Sequence, residues 1–429
     1  MVFKISHPTK TLKGEISLPS SKSESNRMLI IKAISGLDID IQNLSPAKDT
    51  QTLIRILKEA ENNTPGTTAT FDVGHAGTTM RFLTAYFSCI EGERILTGSE
   101  RMLQRPIGEL VDALRKLGAD IEYLGKKGYP PIKINGDTLH GGEIDINGSV
   151  SSQFISALLM VSPLMQRGLV LNFTGELVSK PYINMTLSMM EMYGVYGNWE
   201  DNSIQVAQQN YAIHVSHQNY SIEEEEYNKY LVEGDWSSVS YLYSLAALAK
   251  EADFIVKGLK QKSFQGDAVV KNLFEFFTVH SEWEGNDLHI KKAPELTEQF
   301  LYNFEDCPDI AQTIAVVAGA LKVPAILTGL KTLRVKETDR INALEKELAK
   351  LNVNVEVLGD EGIKINPANF NNKVTGPIAT YNDHRMALSF APLALLCDSI
   401  EIENPEVVEK SYPSYWEDLR KLGFVVEEV

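Results

Sequence analysis

An α/β fold of repeated units, divided between two domains, follows from three features of this chain. A turn of small polar residues leads into an Ala/Leu-rich stretch at six places; their marker positions 22, 77, 151, 237, 309 and 384 lie 55, 74, 86, 72 and 75 residues apart. A second, more amphipathic stretch follows each of them, and short alternating runs divided by turn residues come next. The chain has 429 residues, more than one hydrophobic core ordinarily serves, so two domains of three units each are expected.

Taken in order, the first unit opens at Ser20-Ser21-Lys22-Ser23 ahead of the apolar stretch Met28 to Ile34, and continues with an amphipathic helix near Asp49 to Ala60. The second opens at Gly74-His75-Ala76-Gly77-Thr78-Thr79. It adds a helix near Pro106 to Leu117, the alternating strand Ala119 to Tyr123 and the turn Lys127-Gly128-Tyr129-Pro130-Pro131. Gly148-Ser149-Val150-Ser151-Ser152-Gln153 starts the third, with a helix near Pro181 to Tyr193. A domain break is expected in the acidic, Tyr-rich segment Tyr220 to Tyr230. The fourth runs from Glu233-Gly234-Asp235-Trp236-Ser237-Ser238 to a helix near Asp267 to Phe277. Glu305-Asp306-Cys307-Pro308-Asp309 begins the fifth, which carries a helix over Glu337 to Leu351, the strand Val353 to Val357 and a turn at Gly359 to Gly362. Thr338 or Asp339 is placed to cap that helix. The sixth starts at Asn382-Asp383-His384-Arg385, ahead of Met386 to Leu396, and ends with a helix near Tyr412 to Leu422.

Charge at the helix starts points to function. Arg334-Val335-Lys336-Glu337-Thr338-Asp339-Arg340 puts three cations into seven residues where a helix begins; Lys22 with Arg27, and Arg385, sit at two other starts. The positive end of a helix dipole disfavours cations, and Lys336 and Arg340 at i, i+4 would repel each other. An anion held among converging helix N-termini accounts for the recurrence.

Bulk composition narrows the partners. With 57 acidic against 41 basic residues the net charge is −16, which argues against nucleic acid but not against a small anion in a local positive field. The run Glu223 to Glu226 and the Glu427-Glu428 tail read as solvated surface. Cys89, Cys307 and Cys397 are far apart, and no Cys/His cluster has zinc spacing, so neither a disulfide frame nor a metal site is expected. Cys89 and Cys397 lie in apolar runs and read as core. No stretch approaches the roughly 18 apolar residues a membrane span needs, and Met1 to Ser6 lacks a signal-peptide core. A monomer in a reducing cytoplasm is expected.

The motifs together have a family likeness. Leu18-Pro19-Ser20-Ser21-Lys22-Ser23 with Asn26-Arg27, Ala76-Gly77-Thr78 with Arg81, Leu96-Thr97-Gly98 with Arg105-Pro106-Ile107, and Gly148 to Phe154 occur in that order. Leu177-Val178-Ser179-Lys180-Pro181-Tyr182, Arg334 to Arg340 and Asn382 to Ala387 complete the set. The chain resembles the 5-enolpyruvylshikimate-3-phosphate synthases, in the enolpyruvyltransferase family. The resemblance implies two similar domains, each of three βαβαββ units in an inside-out α/β barrel, with the ligand cleft between them. It implies a chain that crosses twice, residues 21–233 forming one domain and residues 1–20 with 234–429 the other.

It also implies the reaction. The enolpyruvyl group of phosphoenolpyruvate moves to the 5-hydroxyl of shikimate 3-phosphate and phosphate leaves, with no metal or organic cofactor. Shikimate 3-phosphate would be held by Lys22, Ser23, Arg27, Ser151, Ser152, Gln153, Ser179, Tyr182, Asp309 and Lys336. Phosphoenolpyruvate would meet Lys22, Gly77, Arg105, Gln153, Arg340, Arg385 and Lys410. Asp309 beside the attacking hydroxyl, Glu337 at the methylene carbon and Lys22 are the acid–base candidates.

Three positions depart from the common pattern: His75 stands for Asn, Phe82 for a frequent Pro beside the phosphoenolpyruvate turn, and Thr332 for Asn. None removes a required charge. The sister family acting on UDP-N-acetylglucosamine is the nearest rival. It usually carries Lys-Asn near its N-terminus and a reactive loop cysteine, where this chain has Ser21-Lys22-Ser23 and no cysteine ahead of Arg105 on that loop. A catalytically inactive anion-binding relative would have lost the acid–base residues, which are present.

Overall fold

Small residues and apolar residues on every side make a helix that belongs inside, and three helices of this protein follow that rule. All residues of Gly77–Ser88, Trp236–Leu248 and Ala311–Ala320 are buried. Their hydroxyls bond back to the preceding turn, as Thr84 to the Met80 carbonyl and Ser244 to that of Tyr241, both at 2.7 Å. The computed structural model describes residues 1–62, 67–149, 151–212 and 228–429, so Val150 and the run Glu223 to Glu226 lie outside the described residues. Most of the expected break segment, Tyr220 to Tyr230, also lies outside them.

Two compact units form, Ser21–Val232 and Met1–Ser20 with Glu233–Val429. In the first, strands Ala69–Asp72, Gly92–Thr97, Ile132–Gly136 and Asp120–Tyr123 make one sheet in that order. The first pair is parallel and the others antiparallel, and helices Gly77–Ser88 and Gly108–Lys116 complete a βαβαββ unit. Strands Gly142–Asn147, Leu169–Thr174, Ser203–Val206 and Gly197–Glu200 repeat the pattern with helices Ser152–Val161 and Lys180–Glu191. Helices Lys22–Ser35 and Lys48–Glu61 accompany only a short parallel pair, Asp40–Gln42 with Lys229–Leu231, among the described residues.

The second unit takes strands from the start of the chain into two sheets. Thr11–Ser17 runs parallel to Glu251–Lys257, which pairs with Asp287–Leu296 and through it with Phe277–Glu284. Val2–Ser6 lies between Ile400–Glu403 and Val425–Glu428. A third sheet orders Phe300–Asn303, Ala325–Thr328, Gly362–Asn366 and Asn354–Leu358. The sheets stay separate, and no closed barrel of strands forms among the described residues. No helix there is long and apolar enough to cross a membrane.

Three local expectations need correction. The stretch Asp267 to Phe277 is not one helix: a four-residue turn, Val270–Leu273, lies between the 3-10 turns Gly266–Val269 and Phe274–Phe276. Phe274 and Phe277 are both fully buried three residues apart, a spacing that a 3-10 turn brings onto one side. The helix expected near Glu337 starts three residues later, at Arg340, where Asp339, one of the two expected caps, accepts from the amides of Ile341 and Asn342 at 3.1 Å each. Cys89 is half-buried at the end of Gly77–Ser88, packed against the core rather than within it, although Cys307 and Cys397 are buried.

Candidate active site

In the unit that holds both chain ends, four cations and three carboxylates meet at three helix starts. Arg340, 2% exposed along its side chain, is the hub. Its Nε donates to Asp383 Oδ2 at 2.7 Å, Nη1 to Asp309 Oδ1 at 3.1 Å, and Nη2 to Glu337 Oε2 at 3.0 Å and Asp383 Oδ1 at 3.3 Å. Lys336 Nζ lies 3.4 Å from Asp309 Oδ1, so the two cations expected to repel share one carboxylate oxygen. Arg385 Nη2 stands 3.0 Å from Asp309 Oδ2, and its Nη1 donates to the Tyr241 hydroxyl at 3.0 Å. Lys410, on the turn Pro405–Lys410, donates to Glu337 Oε1.

Local backbone aims these groups. Tyr381 and Asn382 take left-handed φ of 54° and 57°, a strained pair for which Asn is suited. The turn lets Asp383 cap the amide of Arg385 at 2.9 Å while its carboxylate grips Arg340. Asp309 lies in the 3-10 turn Pro308–Ile310 that leads into Ala311–Ala320. Burial alone would raise the Asp309 carboxyl, but Arg385, Lys336 and Arg340 outweigh it and hold it well below the usual range. Asp309 is therefore an ionised group at neutral pH. Burial lowers Lys336 despite Asp309. The Arg340 guanidinium is raised, since Asp383, Glu337 and Asp309 together outweigh burial.

The unit Ser21–Val232 holds the other predicted residues. Lys22 opens the helix Lys22–Ser35, with its Nζ 3.5 Å from Asp49 Oδ2. Arg27 ties three helices together: Nε donates to Thr186 Oγ1 at 2.7 Å, Nη1 to the Ser23 carbonyl at 2.9 Å, and Nη2 to Ser156 Oγ at 3.0 Å and the Tyr182 carbonyl at 3.3 Å. Neutral oxygens accept its hydrogen bonds, and burial, opposed in part by nearby Tyr182, Tyr230 and Glu24, pushes its pKa down to about 10. A guanidinium so placed favours an anion. The Phe82 ring lies 5.5 Å from it and that of Tyr182 6.0 Å, so Phe82 supports this arginine by a cation–π contact. Its side chain thus reaches Arg27, which its place in sequence beside the Gly77 turn did not suggest.

Gly77 starts a helix beneath two further cations. A Cβ there would stand 2.5 Å from Arg105 Nη1 and 2.8 Å from Arg81 Nη1, so any other residue would push these guanidinium groups aside. Arg81 also donates to the Gly77 carbonyl at 2.9 Å. Gln153 Nε2 donates to Thr78 Oγ1 at 3.1 Å, and Ser151 Oγ accepts from the Gln153 amide at 3.3 Å, with Ser152 next to it at the helix start. Ser179 holds a left-handed φ of 55° at the start of Lys180–Glu191 and is buried, a strained position for a residue other than glycine. Lys180 turns away to the Trp199 ring at 4.7 Å. His75 shares a hydrogen bond of 2.9 Å with Ser99 Oγ, and Thr332 sits in the 3-10 turn Lys331–Val335.

Several partners of these groups are not legible in the sequence. Asp383 lies inside the motif Asn382 to Ala387 beside the more conspicuous Arg385; Asp49, Asp267, Ser156 and Thr186 carry no local signal beyond polarity in apolar surroundings. The set closest to metal-ligand geometry among the described residues is Glu282, Glu284 and His289, on largely exposed strands. His289 there is held by Glu284 at 3.0 Å and Asp253 at 2.6 Å, and these bonds raise its pKa against burial.

Comparison with known proteins places the chain in a lineage. Residues 6–419 match the family model described as EPSP synthase (3-phosphoshikimate 1-carboxyvinyltransferase). A Bacteroides fragilis protein named 3-phosphoshikimate 1-carboxyvinyltransferase is 44% identical over 428 residues, 100% of this chain and 99% of that protein. One of the same name from Sulfurovum sp. is 38% identical over 435 residues, covering 97% and 98%. The structure of EPSP synthase from Acinetobacter baumannii superposes with a TM-score of 0.76 at 21% identity over the whole of both chains, which shows the shared fold. With the family model spanning nearly the whole length and relatives this similar from end to end, the chain belongs to the EPSP synthase (3-phosphoshikimate 1-carboxyvinyltransferase) family.

Proposed function

We propose that this chain transfers the enolpyruvyl group of phosphoenolpyruvate to the 5-hydroxyl of shikimate 3-phosphate and releases phosphate. The observation that carries the proposal is the pair Asp309 and Glu337, held among Lys336, Arg340, Arg385 and Lys410. Anions need those cations, and proton transfer needs the carboxylates.

In the addition, the 5-hydroxyl oxygen bonds to C2 of phosphoenolpyruvate as its proton passes to Asp309, whose low pKa supplies a carboxylate at neutral pH. The methylene carbon C3 gains a proton. In the elimination, the C2–O bond to phosphate breaks, the leaving phosphate takes up the proton that Asp309 accepted, and C3 gives a proton back to the group that supplied it, restoring the double bond. Glu337 exchanges that C3 proton, and Lys22 serves as a further donor. Lys22, Arg105, the Gly77 backbone, Gln153, Arg340, Arg385 and Lys410 take phosphoenolpyruvate. Ser23, Arg27, Ser151, Ser152, Gln153, Ser179, Tyr182 and Lys336 take shikimate 3-phosphate, with Asp309 on the ring hydroxyls. The enzyme works as a monomer in the cytoplasm, where its three thiols stay free.

A steady-state phosphate-release assay tests this with shikimate 3-phosphate or UDP-N-acetylglucosamine as acceptor. Release with the first acceptor alone is expected. Release with the second alone, or with neither, overturns the proposal.

A further inference from the structure

Asp267 lies behind the cation cluster and had no part in the reaction just described. Its side chain is 2% exposed, and its Oδ2 accepts from the Ser237 hydroxyl. The Ser237 oxygen in turn accepts from Arg385 Nη2 at 3.4 Å, a long contact. Arg385 is thus gripped from three sides: by the Tyr241 hydroxyl, by Asp309, and by a hydroxyl that leads to Asp267. The groups facing Asp267 come from three elements. Asp235 and Ser237 stand at the start of Trp236–Leu248, Cys307 and Asp309 on the turn before Ala311–Ala320, and Arg385 on His384–Phe390.

We propose that Asp267 is a positioning residue which, through the Ser237 hydroxyl, sets the place and the effective charge of the Arg385 guanidinium. This rests on the assignment of Arg385 to phosphoenolpyruvate. Burial and, after it, the neighbouring Asp309 carboxylate push the Asp267 carboxyl up to about 7. With its proton on, Asp267 is neutral and the guanidinium of Arg385 is drawn by the Asp309 carboxylate. Once the proton leaves, a second carboxylate draws on the same guanidinium, and less of its field reaches a phosphate. Phosphoenolpyruvate affinity therefore falls as pH rises through that region. An Asp267 that merely fills space gives no such dependence.

The test measures KM for phosphoenolpyruvate and kcat, at saturating shikimate 3-phosphate, across roughly pH 5.5 to 9. Wild type, Asp267→Asn and Ser237→Ala are compared. The ionisation of phosphoenolpyruvate itself is common to all three, so the ratio of variant to wild type isolates Asp267. Wild-type KM should rise on the alkaline side, by about tenfold for each unit by which bound ligand raises the carboxyl pKa. Asp267→Asn, a permanent mimic of the neutral form, should lack that rise. Ser237→Ala should raise KM by about tenfold, the loss of one hydrogen bond to a charged group, with kcat changed much less. If the wild-type and Asp267→Asn pH curves superimpose while wild type turns over normally, the positioning role is wrong and the function stands. No wild-type turnover at any pH would sink the function and this role with it. Should Ser237→Ala fail to fold, the Asp267→Asn curve decides alone.

Discussion

Glu337→Gln separates chemistry from binding because the structure makes the two effects opposite in sign. Four cations, Lys336, Arg340, Arg385 and Lys410, face three carboxylates, Asp309, Glu337 and Asp383. Replacing one carboxylate by an amide raises the net positive charge of the cluster by one. A unit charge about 6 Å from an anion, at an effective dielectric of about 20, contributes at most about 3 kcal/mol. Affinity for shikimate 3-phosphate and phosphoenolpyruvate should therefore hold or tighten. The amide keeps one acceptor for Arg340 or Lys410, so the local geometry survives in part. It cannot exchange a proton with the methylene carbon. Losing a general acid–base group costs about 10²–10⁴ in rate, or about 3–5 kcal/mol of barrier. Turnover should fall by that range while calorimetric affinities stay equal or improve. Deuterium uptake into the methylene group of phosphoenolpyruvate should slow in parallel. Near-normal turnover with normal exchange in Glu337→Gln would refute the proton-transfer role and leave Lys22 or Asp309 to move the proton.

Arg385→Ala should weaken phosphoenolpyruvate use while leaving shikimate 3-phosphate binding nearly intact, because Asp309 keeps Lys336 and Arg340 as partners; equal loss of both affinities in calorimetry would overturn the assignment. Arg27→Lys keeps the charge but not the fork that binds Thr186, Ser156 and the Ser23 and Tyr182 carbonyls. It should destabilise its unit by about 3 kcal/mol as well as weaken shikimate 3-phosphate binding, and a denaturant midpoint equal to wild type would count against this account. Asp267 supplies a pH test of stability. Its folded pKa of about 7 lies above the unfolded value of about 4, so folding takes up a proton between the two and this group's contribution weakens as pH rises through that window. Asp267→Asn escapes the penalty, so its melting temperature should gain on wild type from about pH 4 to about pH 8; a constant difference would show that the carboxyl is not raised.

What the sequence determined by itself is local. Turn residues ahead of an apolar run mark a helix start within a few positions, because capping and periodicity are short-range effects. That made the helix starts at Lys22, Gly77, Ser152, Trp236 and His384 legible. Ordered motifs also named the charged residues at those starts. The stretch Asp267 to Phe277 reads as one helix in sequence, but its periodic pattern yields to the packing of Phe274 and Phe277 in the core.

Tertiary structure alone decided which charges meet. Arg340 finds Asp383 across 43 residues, Lys410 finds Glu337 across 73, and Arg27 finds Thr186 across 159. Those separations carry no local signal, because Coulomb and hydrogen-bond energies depend on distance in space and not on distance along the chain. The raised Asp267 carboxyl is illegible in the sequence for the same reason. Its carboxyl is raised by burial and by Asp309, from a turn 42 positions along the sequence, and burial exists only once the chain has packed.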